Sequence, residues 1–304
     1  MALRRERLET PDGDELVLDH LDGPAASPIV LLLHGLEGSS SSVYIQGILR
    51  LVAQRGWRAT VLNFRSCARD PLVPRRMLPN QRPRLYHSGE TTDLDCVLRA
   101  LVSREPGILI FAFGASVGGN VLLKWLGEHP EETIVRAAVT ISVPYDLAAS
   151  ARHLERGIGP MYVNVFLRTL KAKVVDIASR FPEIAGVVDL RQAAAGRTFH
   201  QFDDAATAPL HGFEGADDYY ERSSSIRFLD RITVPTLALN AIDDPFLPRD
   251  VLRRAREAAS PSIRFVTPAN GGHVGFISGW LPWRCRYWAE EEALEWFCLR
   301  NAIQ

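Results

Sequence analysis

The chain has 304 residues, of which 46% are hydrophobic and 23% are charged. This composition is typical of a globular protein with a sizeable buried core, and it excludes a mainly disordered chain. Lysine and arginine number 35 against 36 aspartates and glutamates, which gives a net charge of -1. A balance this close to neutral excludes the strong field that would attract nucleic acid or an anionic bilayer.

The sequence shows neither a membrane span nor a secretory signal. Its longest apolar runs, Ile29–Leu33 and 108–113, are far shorter than the ~18 residues that cross a bilayer. The chain starts Met-Ala-Leu-Arg-Arg-Glu-Arg, without the apolar stretch of a signal peptide, so we expect a cytoplasmic protein. The four cysteines lack CxxC spacing and are expected to be reduced thiols, with Cys96 and Cys298 as packing residues.

The first half of the chain predicts an alternation of strands and helices. It opens with a β-hairpin, in which Arg4–Glu9 and 15–20 flank an Asp-Gly turn. Ile29–Leu33 is wholly aliphatic, as in a parallel strand covered on both faces. The following predicted elements imply a parallel sheet with right-handed crossovers: helix 43–55, strand 59–64, helix 93–104, strand 108–113, helix Val117–Glu128 and strand 135–142. Thr92 and Asp95 fit a capping pattern at the start of helix 93–104.

The alternation stops at residue 143 and resumes after residue 225. Within this segment an apolar stripe predicts a long amphipathic helix, and its members are Tyr162, Phe166, Leu170, Val174, Ile177 and Phe181. Beyond it we predict strand 236–240, helix 249–259, strand Ile263–Val266 and a last helix from about residue 284, with Ala289, Ala293 and Trp296 on one face. We therefore expect an α/β core of residues 1–142 and 226–304 with a helical lid at 143–225.

A candidate nucleophile lies between a predicted strand and a predicted helix. The segment 114–118 reads Gly-Ala-Ser-Val-Gly, and helix Val117–Glu128 begins inside it. A serine on such a tight strand-to-helix turn is exposed for attack, and the flanking glycines avoid collisions with the neighbouring strand and helix. The helix N-terminus also favours a developing anion nearby. We identify Ser116 as the nucleophile.

A serine hydroxyl needs a base, and the base needs an acid to orient it. Candidates follow Ser116 in the order acid then histidine. His273 lies in a glycine-rich loop after a predicted strand and is our base. Asp243 and Asp244 follow the preceding strand, where open α/β sheets place functional groups. We prefer Asp244 as the acid and expect Asp243 to hydrogen-bond local backbone in the turn.

An oxyanion hole needs two backbone N–H donors, one after the nucleophile and one from the loop after an earlier central strand. Val117 supplies the first donor. The second is expected at Leu36, in the HGLEG segment 34–38 that follows Ile29–Leu33. Since His273 already fills the role of base, His34 is expected to be structural.

Together these residues resemble one branch of the α/β-hydrolases, the YheT-like family. The resemblance spans nearly the whole chain and rests on eight blocks in order: HGLEGSS (34–40), NFRSC (63–67), YHSGET (86–91), GASVGGN (114–120), DDAATAPLHGF (203–213), YY (219–220), NAIDDPF (240–246) and GGHVGF (271–276). It implies an α/β-hydrolase fold with a lid, and a Ser-Asp-His triad that falls on Ser116, Asp244 and His273. Members of the family are described as esterases, some acting on phospholipids and some transferring acyl groups to alcohols.

Two positions depart from the usual pattern of the family. Ser66 stands where relatives have glycine, which raises the question of how its loop is shaped. Val117 stands where relatives have leucine, but it would act through its backbone N–H. Neither departure removes a catalytic group.

Three further features carry alternative interpretations. Positions 65–85 hold six arginines against one aspartate, a local charge of +5 that either forms an electropositive rim for anionic acyl substrates or, as we favour, is a solvated loop; the arginines are Arg65, Arg69, Arg75, Arg76, Arg82 and Arg84. His87 either contacts substrate or, preferably, anchors its loop. The Tyr162–Phe181 stripe either lines an acyl tunnel or, preferably, packs the lid on the core.

The sequence thus predicts a serine hydrolase that cleaves carboxylic esters of short- to medium-chain acyl groups through an acyl-enzyme. The rivals are an alcohol acyltransferase, a phospholipase-type lipid hydrolase and a non-catalytic ligand-binding protein on the same fold. Small-molecule esters, lipid esters among them, are the expected partners. No metal cluster or phosphate-cradling loop is evident, so we expect no cofactor.

Overall fold

A computed structural model describes residues 2–73, 76–279 and 285–302. Within these residues the large sheet consists of β1 (Arg4–Glu9), β2 (Glu15–Leu21), β3 (Ile29–Leu33), β4 (Arg58–Asn63), β5 (Ile110–Ala115), β6 (Val135–Ile141), β7 (Thr236–Leu239) and β8 (Ile263–Val266). Its strand order is β1-β2-β4-β3-β5-β6-β7-β8, with β1 and β2 antiparallel to their neighbours and the other strands parallel. The mostly parallel sheet confirms the predicted α/β class.

Helices accompany the sheet at nearly the predicted places. They are α1 (Val43–Gln54), α2 (Thr92–Arg104), α3 (Val117–Glu128), α4 (Leu147–His153), α5 (Gly159–Arg180), α6 (Leu190–Ala195), α7 (Phe199–Phe202), α8 (Ala208–Leu210), α9 (Ala216–Ser223), α10 (Arg249–Ala258) and α11 (Trp288–Asn301). Two short strands, β9 (Ile277–Ser278) and β10 (Arg286–Tyr287), form a separate antiparallel pair.

The sheet is covered on both faces, which explains the unbroken aliphatic sequence of its central strands. One face packs on α2, α3 and α10 through a core that includes Leu31, Val97 and Val251. The other face packs on α1 and α11, where Ile48 and Phe297 are fully buried. Because alternate residues of each strand serve opposite cores, both must be apolar. The result is a three-layer sandwich whose parallel strands end at a common edge.

Helix α2 begins differently from the prediction. Its N-cap is Thr91, whose side chain makes no capping hydrogen bond, and Thr92 is the first helical residue. The Thr92 backbone N–H instead donates to the Glu90 carboxylate over 3.0 Å. The predicted Thr92–Asp95 cap is therefore wrong, because a carboxylate two residues upstream already satisfies this donor. Helix α11 begins at Trp288 rather than near residue 284, and Arg75 and Arg284 lie outside the described residues.

The chain between β6 and β7 forms helices α4 to α9 with an apolar core of their own. That core includes Val163, Leu167, Val174 and Ile177 of the long helix α5. The predicted stripe is thus partly displaced, since Tyr162 is exposed while Val163 and Leu167 are buried. Helix α7, a π-helical turn (Asp203–Thr207) and α8 follow one another without a break.

The arginine-rich stretch is neither a simple rim nor a simple solvated loop. Arg65 is buried, with its guanidinium 2.7 Å from the Asp14 and Asp93 carboxylates and 3.0 Å from Asp12. Arg84 pairs with Asp12 over 2.9 Å. Both expectations for Arg65 are therefore wrong: its charge is consumed inside the fold, where it ties the first hairpin to α2, because a buried cation needs paired anions.

Candidate active site

Ser116 lies in the sharp turn between β5 and α3. Its backbone angles, φ 51° and ψ −120°, are ones that non-glycine residues rarely adopt. A Cβ atom on Gly118 would lie 2.5 Å from the His34 carbonyl oxygen, and one on Gly114 would lie 2.6 Å from the Gly118 carbonyl oxygen. These contacts confirm that the flanking glycines are sterically required, and the tight turn holds the serine hydroxyl at the carboxyl edge of the sheet.

The structure brings Ser116, His273 and Asp244 together. His273 Nε2 is 2.9 Å from Ser116 Oγ, and Nδ1 is 2.9 Å and 3.1 Å from the two Asp244 carboxylate oxygens. The serine follows β5, the aspartate follows β7 and the histidine follows β8. Since parallel strands end at the same edge, residues 157 positions apart meet within hydrogen-bond distance. The imidazole can accept a proton from the serine while the carboxylate stabilises the resulting positive charge.

The two neighbouring aspartates make different contacts. The Asp244 side chain is buried and also accepts the Phe246 backbone N–H over 2.9 Å. Asp243 accepts the Gly272 backbone N–H over 2.9 Å, one residue before the histidine. The geometry thus gives Asp244 the contact with the imidazole and Asp243 a contact that shapes the loop carrying it.

Two further residues hold His273 in place. The Phe246 ring stacks on the imidazole with centroids 4.2 Å apart. The Ser142 hydroxyl donates to the His273 backbone carbonyl. Sequence reasoning missed both contacts, although Phe246 belongs to the NAIDDPF block and Ser142 ends a predicted strand. The contacts fix the ring plane and leave Nε2 directed toward the serine.

The predicted oxyanion donors, Leu36 and Val117, line the same cavity as Ser116. Val117 is the first residue of α3, so its N–H has no acceptor within the helix and lies at the positive end of the helix dipole. The amides on either side of Leu36 are held by tyrosine hydroxyls: Gly35 N–H donates to Tyr44 and Glu37 N–H donates to Tyr86, each over 2.8 Å. The loop is therefore fixed around the Leu36 amide.

His34 is fully buried and acts within the fold. Burial lowers its pKa to about 4, so the ring is neutral. Its Nδ1–H donates to the Gly35 carbonyl over 2.8 Å, and its Nε2 accepts the Phe64 backbone N–H over 3.1 Å. The structural role expected for His34 is confirmed, because Nδ1 bonds within the loop after β3 and Nε2 joins that loop to the residue that follows β4.

Ser66 adopts the left-handed conformation, with φ 60°. This explains why glycine suits the position, since a β-carbon is strained there. The serine hydroxyl donates to the Asn80 side-chain oxygen over 2.6 Å, which compensates locally for the strain. The loop thus keeps its turn despite the departure from the family pattern.

A cavity of about 260 Å³ opens above Ser116. The sheet edge contributes one wall, and the helices between β6 and β7 contribute the other. Phe166 and Leu170 of the predicted stripe line the cavity, while Val174 and Ile177 pack in the core of the helical segment. His87 also lines the cavity, and its Nε2 is 3.4 Å from the Glu90 carboxylate, a contact that fits the expected anchoring of its loop.

A buried ion pair joins this helical wall to the oxyanion loop. Lys173 Nζ of α5 is 2.6 Å from Glu37 Oε1 and 3.2 Å from Cys67 Sγ. The Tyr86 hydroxyl donates to the same glutamate oxygen over 2.9 Å. Burial raises the pKa of the Cys67 thiol to about 11, so the thiol stays protonated. The pair fixes α5 against the residue that follows Leu36, and no sequence pattern indicated it.

Among the described residues, no group of three or more His, Cys, Asp or Glu side chains is arranged to hold a metal ion. None of the helices in those same ranges combines the length and apolar character of a bilayer span.

Comparison with known proteins shows the family to which the chain belongs. Residues 28–279 match the family model described as the alpha/beta hydrolase fold. The chain is 36% identical over 294 residues to YheT of Escherichia coli (strain K12), a protein named as an esterase, covering 96% of this chain and 83% of that one. It is 33% identical over 293 residues to phospholipase ABHD3 of Mus musculus, covering 93% of this chain and 69% of that one.

A solved structure agrees on the fold. The Pyrococcus furiosus esterase Pf2001 superposes with a TM-score of 0.63 at 15% sequence identity, covering 99% of this chain and 91% of that one. The family match spans most of the chain, and the named relatives carry esterase and phospholipase names. The chain therefore belongs to the YheT-like α/β-hydrolases and is an ester hydrolase.

Proposed function

We propose that the protein cleaves carboxylic esters of short- to medium-chain acyl groups through Ser116, His273 and Asp244. The observation that carries the proposal is the unbroken hydrogen-bonded series from Ser116 Oγ through both nitrogens of His273 to the buried Asp244 carboxylate. A structural cluster would not need its serine in a strained turn at the mouth of a cavity.

The first step forms an acyl-enzyme. Ser116 Oγ attacks the ester carbonyl carbon while its proton passes to His273 Nε2, and Asp244 stabilises the imidazolium through Nδ1–H. The Leu36 and Val117 N–H groups bind the oxyanion. As the tetrahedral intermediate collapses, the bond to the alcohol oxygen breaks, and His273 returns the proton to the departing alcohol.

The second step releases the acid. A water molecule gives a proton to His273 Nε2 and attacks the acyl carbon, and the second tetrahedral intermediate expels Ser116 Oγ, which regains the proton. Phe246, stacked on the imidazole, keeps the ring in one plane through both proton transfers. The enzyme returns to its starting state with no change in charge.

Residues 143–225 act as the lid over this site. Their helices supply Leu154, Phe166, Leu170 and Phe199 to the cavity wall, a lining that suits an aliphatic acyl chain. The finite cavity favours short and medium chains, because longer chains would have to leave it through solvent.

The test is the Ser116→Ala variant, assayed on p-nitrophenyl esters of graded chain length. We expect kcat to fall by about 10³-fold or more, while circular dichroism and melting temperature stay near those of the unaltered protein. A fluorophosphonate probe should label the unaltered protein at Ser116 and leave the variant unlabelled. Near-normal esterase activity in the folded variant would refute the assignment.

A further inference from the structure

Asp203 is a buried acid in the cavity that the proposed reaction does not use. It begins the π-helical turn Asp203–Thr207 between α7 and α8, and its side chain lines the cavity together with Thr207 and Tyr220. π-Helical turns inside α-helical runs frequently mark functional positions. Burying a carboxylate is costly unless it is hydrogen-bonded or paired with a cation.

The Asp203 carboxylate has acceptor capacity that the protein leaves open. Thr207 Oγ1 donates to one oxygen over 2.6 Å, and the Tyr220 hydroxyl donates to the other over 2.7 Å. An ionised carboxylate offers about four lone-pair directions. Each oxygen can therefore accept one further hydrogen bond, and the cavity is where a donor would stand.

No lysine or arginine forms an ion pair with Asp203 within the described part of the chain, and its two hydrogen-bond partners are neutral hydroxyl groups. The positive charge of a protonated His200 acts to lower the pKa of Asp203. Burial raises the pKa of Asp203 to about 6, so the group still ionises near neutral pH. The surroundings thus solvate the acid with hydroxyls rather than neutralising it.

Ser150 is a second polar residue in the lining of the same cavity. It lies on α4 and is buried, and its hydroxyl has no hydrogen-bond partner among the described residues. Helix α4 packs against α7, which leads into Asp203, and against α9, which carries Tyr220. A buried hydroxyl without a partner is destabilising unless a bound molecule satisfies it.

We propose that Asp203, with Thr207, Tyr220 and Ser150, forms a subsite that binds a hydroxyl group of the ester substrate. The substrate O–H donates to the open lone pair of Asp203, and its oxygen accepts from Ser150. The inference rests on the proposed ester cleavage at Ser116 and adds the substrate class, hydroxylated esters. The hydroxyl belongs either to the alcohol portion or to the acyl portion of the substrate.

The test compares isosteric esters that differ in one hydroxyl. ω-Hydroxyalkyl butyrates of graded length are paired with alkyl butyrates in which a methyl group replaces the hydroxyl, and ethyl ω-hydroxyalkanoates are paired likewise. In the unaltered protein we expect a preference in kcat/KM of about tenfold for the hydroxylated member at one matching length. The series that shows the preference identifies the alcohol or the acyl portion as the source.

In the Asp203→Asn variant, the ratio of kcat/KM between the hydroxylated and the plain ester should fall to near one, and this ratio cancels any change in overall activity. Asp204→Asn is the matched control, since this neighbouring acid is exposed and accepts the Ala216 backbone N–H instead. If the Asp203→Asn variant fails to fold, a measurement on the unaltered protein still tests the subsite. Converting the substrate hydroxyl to a methyl ether should remove the preference, because the ether cannot donate a hydrogen bond.

Three results would overturn the subsite: no preference in either series, an unchanged preference in a folded Asp203→Asn variant, or a stronger preference for aminoalkyl than for hydroxyalkyl esters. The last would mean that the carboxylate binds a cation. Failure of the proposed function is distinguishable, because then Ser116→Ala would leave the cleavage of both plain and hydroxylated esters intact.

Discussion

The two walls of the cavity are held in place by different means. At the sheet edge, the side chains come from loops that follow the parallel strands, and hydrogen bonds to the backbone of these loops position them, as the bond from the Ser142 hydroxyl to the His273 carbonyl does. In the helical segment, position depends on buried side-chain pairs, such as Lys173 with Glu37 and Asp203 with Tyr220. We therefore expect substitutions at the sheet edge mainly to lower the rate of ester cleavage. Substitutions in the helical segment should mainly change the stability of its packing and the choice of substrate.

The same contrast appears in the cores. The sheet is buried between two extensive apolar clusters, and strands such as β3 are buried at every position. The helical segment has a smaller core, and its long helix α5 keeps exposed apolar residues, among them Met161 and Val165. With less apolar area to bury, the helical segment relies more on each polar contact.

The largest expected effect is a loss of kcat from a substitution at the sheet edge. Asp244→Asn removes the charge that stabilises the imidazolium in the proposed reaction, so kcat should fall by about 10⁴-fold with little loss of stability. Asp243→Asn is the matched control, because an asparagine oxygen can still accept the Gly272 N–H; less than a tenfold loss is expected. Steady-state kinetics on p-nitrophenyl esters decides, and a larger loss in the Asp243 variant would reverse the roles of the two acids.

The next effect tests the helical segment. Lys173→Met leaves Glu37 buried without its cation, which should lower the free energy of unfolding by about 3–5 kcal/mol. The double variant Lys173→Met with Glu37→Gln removes both charges and should recover most of that loss. Urea denaturation measures both. Equal stability of the single variant and the unaltered protein would show that the ion pair does not hold α5 on the oxyanion loop.

Alanine substitutions at two glycines, Gly118 at the sheet edge and Gly186 in the helical segment, compare how tightly the two regions are packed. An alanine Cβ at Gly118 would lie within 2.5 Å of backbone oxygen, so Gly118→Ala should cost about 3 kcal/mol of unfolding free energy. At Gly186 in the helical segment, a Cβ would meet nothing within 4 Å, and Gly186→Ala should change stability little. Thermal melting compares the two variants, and similar losses in both would contradict the steric explanation.

The smallest effect concerns pH and the far side of the sheet. Burial raises the pKa of Glu290, on α11, from 4.5 to about 7. Because the folded state holds this proton more tightly than the unfolded state, the stabilisation is complete below pH 4.5 and is lost as pH rises toward 7. Glu290→Gln should remove this dependence and be more stable than the unaltered protein by about 2 kcal/mol at pH 8.

Melting temperatures measured from pH 4.5 to pH 8 test this prediction. The difference between the Glu290→Gln variant and the unaltered protein should vanish at the acidic end and grow to a few degrees at the alkaline end. The Asp203→Asn variant should also gain stability relative to the unaltered protein as pH rises, because the pKa of Asp203 is raised from 3.8 to about 6. This gain should level off at a lower pH than the gain of the Glu290→Gln variant. A constant difference across the range would contradict a buried titrating group at Glu290.

Much of the fold was predictable because its signals are local. A few neighbouring residues are enough to indicate strand β3, which is covered on both faces, and also the glycine-flanked Ser116 and the start of α3. The start of α2 was not, because Glu90 competes with the expected cap through a contact that the pattern of threonine and aspartate does not reveal. Strand order in the chain also placed Ser116, Asp244 and His273 at one edge, since parallel strands end together.

The sequence by itself determined the alternation of elements, the strand ends and the residue types that carry ester chemistry. Only the tertiary structure decided which buried polar groups meet: Arg65 with the first hairpin, Lys173 with Glu37 across 136 positions, and Asp203 with the cavity. The physical reason is that hydrophobic periodicity sets how each segment folds and which face it buries. Partners far apart along the chain are chosen by how those faces pack, and no local pattern records that choice.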